Sequence, residues 1–117
     1  MPSKLLHLAS RSPRRTDLLR LLGVDFVVLD IDVDESRHGH ERAVDYVQRV
    51  ARRKADAGNL AIGAGHIVLA ADTAVSIDDE VFGKPRDAEH AAAMLRRLAR
   101  RWHEVHSAVV VLDEAGA

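Results

Sequence analysis

The sequence predicts an α/β fold in which a mixed β-sheet is flanked by helices. Short apolar and β-branched runs alternate with stretches of helical periodicity, in the order β-α-β-α-β-β-α-β. Glycines, prolines or paired acidic residues separate these segments. The chain has 117 residues, of which 47% are hydrophobic, so we expect a single domain over residues 1–117 with a small core.

The first strand and helix are predicted from an apolar run followed by capping residues. Residues 5–9 form a short apolar run typical of a buried strand. Ser12 is a favourable N-cap, Pro13 is a favourable first helical residue, and Gly23 is a natural helix stop. The apolar face of this helix is expected to consist of Leu18, Leu19, Leu21 and Leu22.

A second strand and a longer helix are predicted next. Apolar and β-branched residues predict a strand over 26–31, and polar residues predict a loop over 32–40. Apolar positions spaced for one helix face predict a helix over 41–57, with Gly58 in the connection that follows.

The C-terminal part is predicted to contain a helix and a last strand. Asp87 is a suitable cap for a helix over 88–100, whose buried side would consist of Ala91, Ala92, Met94, Leu95 and Leu98. Residues 103–112 alternate and then become continuously apolar, which predicts a strand buried on both faces. Because such a strand belongs inside a sheet, we expect the chain to be the N-terminal part of a longer fold.

Composition and charge exclude several classes of protein. The 17 basic and 18 acidic residues give a net charge of -1 and no general attraction to nucleic acid or anionic membranes. The absence of cysteine excludes a disulfide scaffold and a cysteine nucleophile. No segment approaches the about 18 consecutive apolar residues of a membrane span. We therefore expect a cytoplasmic protein that binds neither nucleic acid nor membranes.

Asp72 is the most unusual polar residue of the chain. It lies in the middle of the apolar run 67–77, which predicts a strand, followed by a short returning strand over 80–82. A carboxylate inside a buried strand is unfavourable unless it is paired, hydrogen-bonded or bound to a metal. Either Asp72 has such a role, or the strand ends at Ala71 and Asp72 begins a turn.

Basic residues cluster in the segment between the first strand and the first helix. Arg14 and Arg15 fall in the first helical turn, where positive charge opposes the helix dipole. A phosphate group would compensate this charge and could also bind the helix N–H groups, unless the two arginines are simply solvated.

Lysine occurs only at positions 4, 54 and 84. Lys54 could also be a surface residue whose positive charge suits the C-terminal end of its helix.

An ordered set of motifs resembles the Maf family of nucleoside triphosphate pyrophosphatases, and it spans nearly the whole chain. These motifs are Leu8-Ala9-Ser10-Arg11-Ser12-Pro13-Arg14-Arg15, then Glu35, the stretch from Tyr46 to Ala55, Ala71-Asp72-Thr73, Gly83-Lys84-Pro85-Arg86-Asp87-Ala88 and His103-Glu104-Val105. The resemblance implies an ITPase-like α/β fold and hydrolysis of nucleoside triphosphates to monophosphate and pyrophosphate. It also implies a divalent cation, Mg²⁺ in the first place with Mn²⁺ or Co²⁺ as alternatives, and a family link to septum formation.

The resemblance also implies roles for individual residues. The residue matching Asp72 is the proton acceptor in the family, and Glu35 and Asp72 are carboxylates suited to the metal. Arg14 and Thr73 match the subgroup that acts on dTTP and UTP, whereas the 7-methyl-GTP subgroup has Trp and Gln there. Modified pyrimidine nucleotides are a further substrate class. The polar residues expected to contact substrate are Ser10, Arg14, Arg15, Lys54, Thr73 and Lys84.

The chain departs from the family pattern at two motifs and in length. Family members usually have Ser-Gly in place of Ala99-Arg100, and Thr in place of Ser107. The family also has a second half with further strands, a glycine-rich segment and a glutamine that helps to select the base. The alternative to an enzyme is therefore a non-catalytic nucleotide-binding or regulatory fragment, and a homodimer is a further expectation.

Overall fold

A computed structural model describes residues 6–63, 65–77, 80–82, 87–100, 102–113 and 115. Within these residues, five strands and three helices occur in the predicted order, which confirms the α/β fold class. The elements are β1 (Leu6–Ala9), α1 (Pro13–Leu21), β2 (Phe26–Leu29), α2 (Ala43–Ile62), β3 (Ile67–Ile77), β4 (Glu80–Phe82), α3 (Ala88–Leu98) and β5 (Glu104–Leu112). None of the helices described is long and apolar enough to cross a membrane.

The sheet is mixed, as predicted, and β3 is its central strand. β1 pairs in parallel with β2 and β3, while β4 and β5 are antiparallel to β3. Since β5 pairs with β3 from Val68 to Ser76, β1 and β4 must share the other edge of β3. There β1 pairs with residues 67–69 and β4 pairs with residues 75–77. Among the described residues, the intervening stretch 70–74 has no partner strand on that edge.

β3 runs through Asp72 without a break, so the alternative that the strand ends at Ala71 is wrong. Asp72 is paired with Ala108 of β5 in the antiparallel register. Its side chain is on the same face as the buried Val68, Ala70 and Ala74, because side chains in a strand alternate. The ladder hydrogen bonds to β5 hold the backbone of Asp72 in an extended conformation within the sheet.

Helix α2 covers one face of the sheet and forms the core with it. The packed residues are small and aliphatic, as a chain with 3% aromatic residues requires. They include Val47, Val50, Ala51 and Ala55 of α2, Val68, Ala70 and Ala74 of β3, and Leu112 of β5. α2 thereby holds the polar residues of its buried face against β3.

The expected connection at Gly58 is wrong, because α2 continues through it to Ile62. A Cβ atom at Gly58 would lie 3.1 Å from Ala9 Cβ and 3.2 Å from Val68 Cγ1. Glycine therefore allows the helix to approach β1 and β3 closely at this point. The helix ends instead at Gly63, whose φ of 77° is in the region that favours glycine.

The opposite face of the sheet is much less covered than the sequence suggests. The prediction that the last strand is buried on both faces is wrong, because Val105, Val109 and Val111 of β5 are 61%, 67% and 56% exposed. α2 packs on only one side of the strand, so alternate residues of β5 face outward.

The apolar faces predicted for the two shorter helices are also largely exposed. In α1 only Leu19 is buried, whereas Leu18, Leu21 and Leu22 are exposed. α3 contains no buried residue, and its Leu95 is 67% exposed. The sequence periodicity identified both helices correctly but not their packing, since no described element covers these faces extensively.

Candidate active site

Lys54 links two carboxylates at the open edge of β3. Its Nζ atom lies 3.4 Å from Asp72 Oδ1 and 3.3 Å from Glu35 Oε1, and it donates to the carbonyl oxygen of Ala71 at 3.5 Å. The Lys54 side chain is only 8% exposed, so the surface alternative for this residue is wrong. Three residues that are distant in sequence thus form one charged cluster.

Asp72 combines burial with an unused hydrogen-bonding position. Its Oδ2 atom is buried and has no hydrogen-bond partner in the described structure. Burial raises the pKa of Asp72 above its usual value; Lys54 opposes this shift and Glu35 adds to it. An unsatisfied buried carboxylate oxygen is unfavourable without a ligand, so this atom is suited to accept a proton or to bind a cation.

The cluster opens into a cavity of about 410 Å³, a volume in the range of small-molecule sites. The cavity lining combines positive and negative side chains with hydroxyl groups. It consists of Arg15, Asp34, Glu35, Ser36, Tyr46, Lys54, Asp72 and Thr73. Arg15 and Lys54 can neutralise phosphate oxygens, and Glu35 and Asp72 present the hard oxygen donors that Mg²⁺ prefers.

The chemistry of these donors fits a divalent cation. Mg²⁺ is commonly held by one or two carboxylates together with substrate phosphates, rather than by a cage of protein ligands. Glu35 and Asp72 provide two carboxylates beside the same ammonium group, and Asp72 Oδ2 has no other partner. The pair corresponds to the one or two carboxylates typical of such a cation, although no described group of three or more His, Cys, Asp and Glu residues could hold a metal by itself.

The loop that carries Glu35 is held against α2 by two residues that sequence reasoning did not single out. The Tyr46 hydroxyl donates to the carbonyl oxygen of Glu35 at 2.7 Å, and burial raises the pKa of Tyr46, so the hydroxyl stays protonated. The Arg49 guanidinium donates to the carbonyl oxygen of Ser36 at 2.7 Å and pairs with Glu41 at 2.8 Å. The sequence signal that could have identified Tyr46 is its position on the apolar face of the helix. A buried tyrosine needs a hydrogen-bond partner for its hydroxyl.

Ser10 and Arg14 lie outside the lining of this cavity. Ser10 is 3% exposed, and its Oγ accepts a hydrogen bond from the Ser12 amide at 2.9 Å, which shapes the turn between β1 and α1. Ser12 is the N-cap of α1, as predicted, and accepts from the Arg15 amide at 3.4 Å. Arg14 is exposed, one residue before Arg15, which does line the cavity.

Thr73 lines the cavity, but its hydroxyl is on the other face of β3 from the Asp72 carboxylate. Its Oγ1 atom lies 2.9 Å from Ser107 Oγ on the neighbouring strand. Lys84 lies outside the described residues. The structure therefore brings together Arg15, Glu35, Lys54, Asp72 and Thr73 of the predicted site.

The sequence matches a family model and many curated proteins. The model described as "Maf-like protein" matches residues 5–117. A "dTTP/UTP pyrophosphatase" of Methylobacillus flagellatus is 47% identical over 112 residues, which are 95% of this chain and 56% of that protein. Proteins with the same name from Escherichia coli and Xanthomonas axonopodis pv. citri are 49% and 50% identical, over 92% of this chain and 55% and 58% of their own length. This chain therefore spans about half the length of these relatives.

A solved structure supports the fold. The crystal structure of a nucleoside-triphosphatase, a dITP/XTP pyrophosphatase from Mycobacterium abscessus, superposes with a TM-score of 0.61 over 96% of this chain and 67% of that chain. At 22% sequence identity, this similarity concerns the fold alone. The family match over residues 5–117 and the identities near 50% lead to one conclusion: the chain belongs to the Maf family.

Proposed function

We propose that this chain hydrolyses dTTP and UTP to the nucleoside monophosphate and pyrophosphate. The observation that carries the proposal is the buried Asp72, whose unpartnered oxygen lies in a cavity with Lys54 and Arg15. The names of the relatives, which are dTTP/UTP pyrophosphatases, support this choice of substrate. A cytoplasmic location suits such a substrate and stays a prediction.

In the proposed reaction, a water oxygen bonds to the α-phosphorus of the nucleotide. The bond from this phosphorus to the α–β bridging oxygen breaks, and pyrophosphate leaves with the electron pair. Asp72 accepts the proton that the water loses. Because burial raises its pKa, Asp72 in its ionised form is a stronger base than an ordinary aspartate.

The cationic residues of the cavity would balance the charge of the phosphates. Arg15 offers a forked donor and Lys54 a point charge, and both suit the non-bridging oxygens on which negative charge accumulates. Lys84 is proposed for the same role. Ser10 and Arg14 would contact parts of the substrate beyond this cavity, and Arg14 and Thr73 are proposed to select the base.

Glu35 and Asp72 are the residues that would hold a divalent cation, proposed as Mg²⁺ with Mn²⁺ or Co²⁺ as alternatives. When bound, such a cation would polarise phosphate oxygens as a Lewis acid. Lys54 lies between both carboxylates, with its Nζ atom 3.3 Å from Glu35 Oε1 and 3.4 Å from Asp72 Oδ1. The protein thereby presents the two oxygen donors already oriented.

Pyrophosphate release from dTTP and UTP, measured with the Asp72→Asn variant, tests the proposal. We expect this variant to fold and bind nucleotide but to lose about 10²- to 10⁴-fold in turnover, the usual contribution of acid–base assistance. Asp56→Asn is the matched control, because Asp56 is an exposed α2 residue paired with Arg52. Near-normal turnover in folded Asp72→Asn protein would contradict the assignment. Nucleotide binding by the parent chain without any turnover would favour the non-catalytic fragment instead.

A further inference from the structure

A second, smaller cavity lies between the first turn of α2 and the sheet. Its volume is about 80 Å³, and it is lined by Arg42, Ala43, Val44, Ser76, Glu104 and His106. A single water needs about 10–15 Å³ of cavity volume, so the cavity can hold a group larger than one water. It is much smaller than the cavity of about 410 Å³ beside Asp72. Ser76 is four residues beyond Asp72 on β3, a separation of about 13 Å along the strand.

Ser76 is a polar residue on the buried face of β3, and its hydroxyl is open to this cavity. It is 7% exposed, and its hydroxyl makes no hydrogen bond to any described residue. Alternate residues of a strand lie on the same face, and Ser76 follows Asp72 by four positions in β3. Ser76 is therefore also on the face that packs against α2, where it lines the cavity. Because the hydroxyl is open to the cavity and bonds to no described residue, it can donate a hydrogen bond to a ligand there.

The first turn of α2 supplies further donors to the same cavity. The N-cap residue Arg42 makes no side-chain capping hydrogen bond to this 20-residue helix. The amide groups at the start of α2 therefore have no side-chain cap, and the helix dipole makes this end positive. The guanidinium of Arg42 adds a charged, forked donor that suits the oxygens of a phosphate.

The cavity is completed on the β5 side by an oriented histidine. His106 Nε2 lies 3.0 Å from Glu104 Oε2, so the remaining ring nitrogen is left for another partner. The Glu104 side chain also lines the cavity but is 76% exposed, so water screens its charge, whereas the His106 side chain is 28% exposed. We propose that this cavity binds a phosphate group, carried either by free orthophosphate or by a larger molecule that extends into solvent.

A titration of the ¹⁵N-labelled chain with orthophosphate tests this proposal without relying on catalysis. We expect saturable shifts of the Ala43 and Val44 amides and of the His106 ring protons. The same titration with deoxythymidine monophosphate distinguishes the two sources. If deoxythymidine monophosphate binds at these positions more tightly than orthophosphate, the cavity binds a phosphate carried by a larger molecule. If it binds equally or more weakly, the cavity binds free phosphate. Shifts confined to the surroundings of Arg15 and Lys54 would overturn the proposal.

Two variants identify the groups responsible. Ser76→Ala removes one hydrogen bond to a charged ligand, so affinity at the second cavity should fall by about tenfold. Arg42→Gln removes an exposed cation and should weaken binding to a similar degree, whereas Arg52→Gln, the matched control on the same helix, should not. Unchanged affinity in folded Ser76→Ala protein would overturn the proposal. If that variant does not fold, unchanged affinity in Arg42→Gln would do so.

Discussion

The ammonium group of Lys54 lies 3.4 Å from the carboxylate of Asp72, although the two residues are 18 positions apart in sequence. Both side chains are about nine-tenths buried, with exposures of 8% and 10%. Each charge is therefore stabilised by the other, because water has little access to either. Burial raises the pKa of Asp72 and this pair opposes the shift, so the pKa depends on both.

Replacement of Lys54 by Met should raise the pKa of Asp72 further. Burial and Glu35 already raise this pKa, and Lys54 opposes them, so its loss removes the stabilisation of the ionised form. Since Asp72 must be ionised to accept a proton, the acid limb of the kcat/KM profile should move to higher pH. Breaking a buried pair should also reduce stability by about 3–5 kcal/mol. Arg52→Met is the exposed control, and an acid limb at the same pH in both variants would contradict this account.

Base preference should depend on Arg14 and Thr73. The resemblance assigns these positions to base selection, and Thr73 lines the cavity while Arg14 lies next to Arg15. The double variant Arg14→Trp, Thr73→Gln should therefore lose dTTP and UTP hydrolysis relative to 7-methyl-GTP. The measurement is the ratio of kcat/KM values for the two substrate classes. If the ratio does not change, these residues do not select the base.

Tyr46→Phe should loosen the loop that carries Glu35. This change removes the 2.7 Å hydrogen bond to the Glu35 carbonyl oxygen but keeps the ring and its contact with the Arg49 guanidinium. One hydrogen bond contributes about 1 kcal/mol, so apparent Mn²⁺ affinity should fall by about fivefold. The readout is Mn²⁺ binding followed by electron paramagnetic resonance. A loss of thermal stability with unchanged Mn²⁺ affinity would show that Tyr46 has only a structural role.

The pair formed by Glu41 and Arg49 should make stability dependent on acidic pH. The Arg49 guanidinium lowers the pKa of Glu41 to about 2 through its hydrogen bonds. Because the folded pKa is below the unfolded value of about 4.3, the contribution of Glu41 is present above that value. It is lost as the pH falls towards 2. Thermal unfolding of the parent chain and Glu41→Gln should therefore differ at neutral pH and converge near pH 2; a constant difference would contradict this assignment.

The uncovered face of β5 should cause the chain to associate. Val105, Val109 and Val111 form an apolar stripe in which each residue is more than half exposed. Sedimentation should show a concentration-dependent species larger than a monomer, a homodimer in the simplest case. Val109→Lys should shift the distribution towards monomer, whereas Leu60→Lys, at an exposed residue of α2, should not. A parent chain that stays monomeric at all concentrations would disprove this prediction.

Local signals in the sequence determined where most helices and strands lie. They also identified Asp72 as a charged residue inside an apolar strand. Ser12 and Asp87 cap α1 and α3 as predicted, since a capping side chain acts on amides only two or three residues away. The apolar runs located the strands because burial favours the same residue types in any sheet. Asp72 was singled out because a carboxylate inside an apolar strand is unfavourable without a partner, whichever partner it has.

Only the tertiary structure decided what those residues contact. From the local sequence, Gly58 is expected in the connection after the helix. In the structure it lies within α2, where the absence of a side chain allows the helix to approach β1 and β3 closely. The valines of β5 suggest a strand buried on both faces, yet burial depends on which elements pack against it. Lys54 reaches Asp72, and Tyr46 holds Glu35, because α2 packs on the face of β3 that carries the Asp72 side chain. Such contacts join distant residues through strand order and helix placement, which no short stretch of sequence encodes.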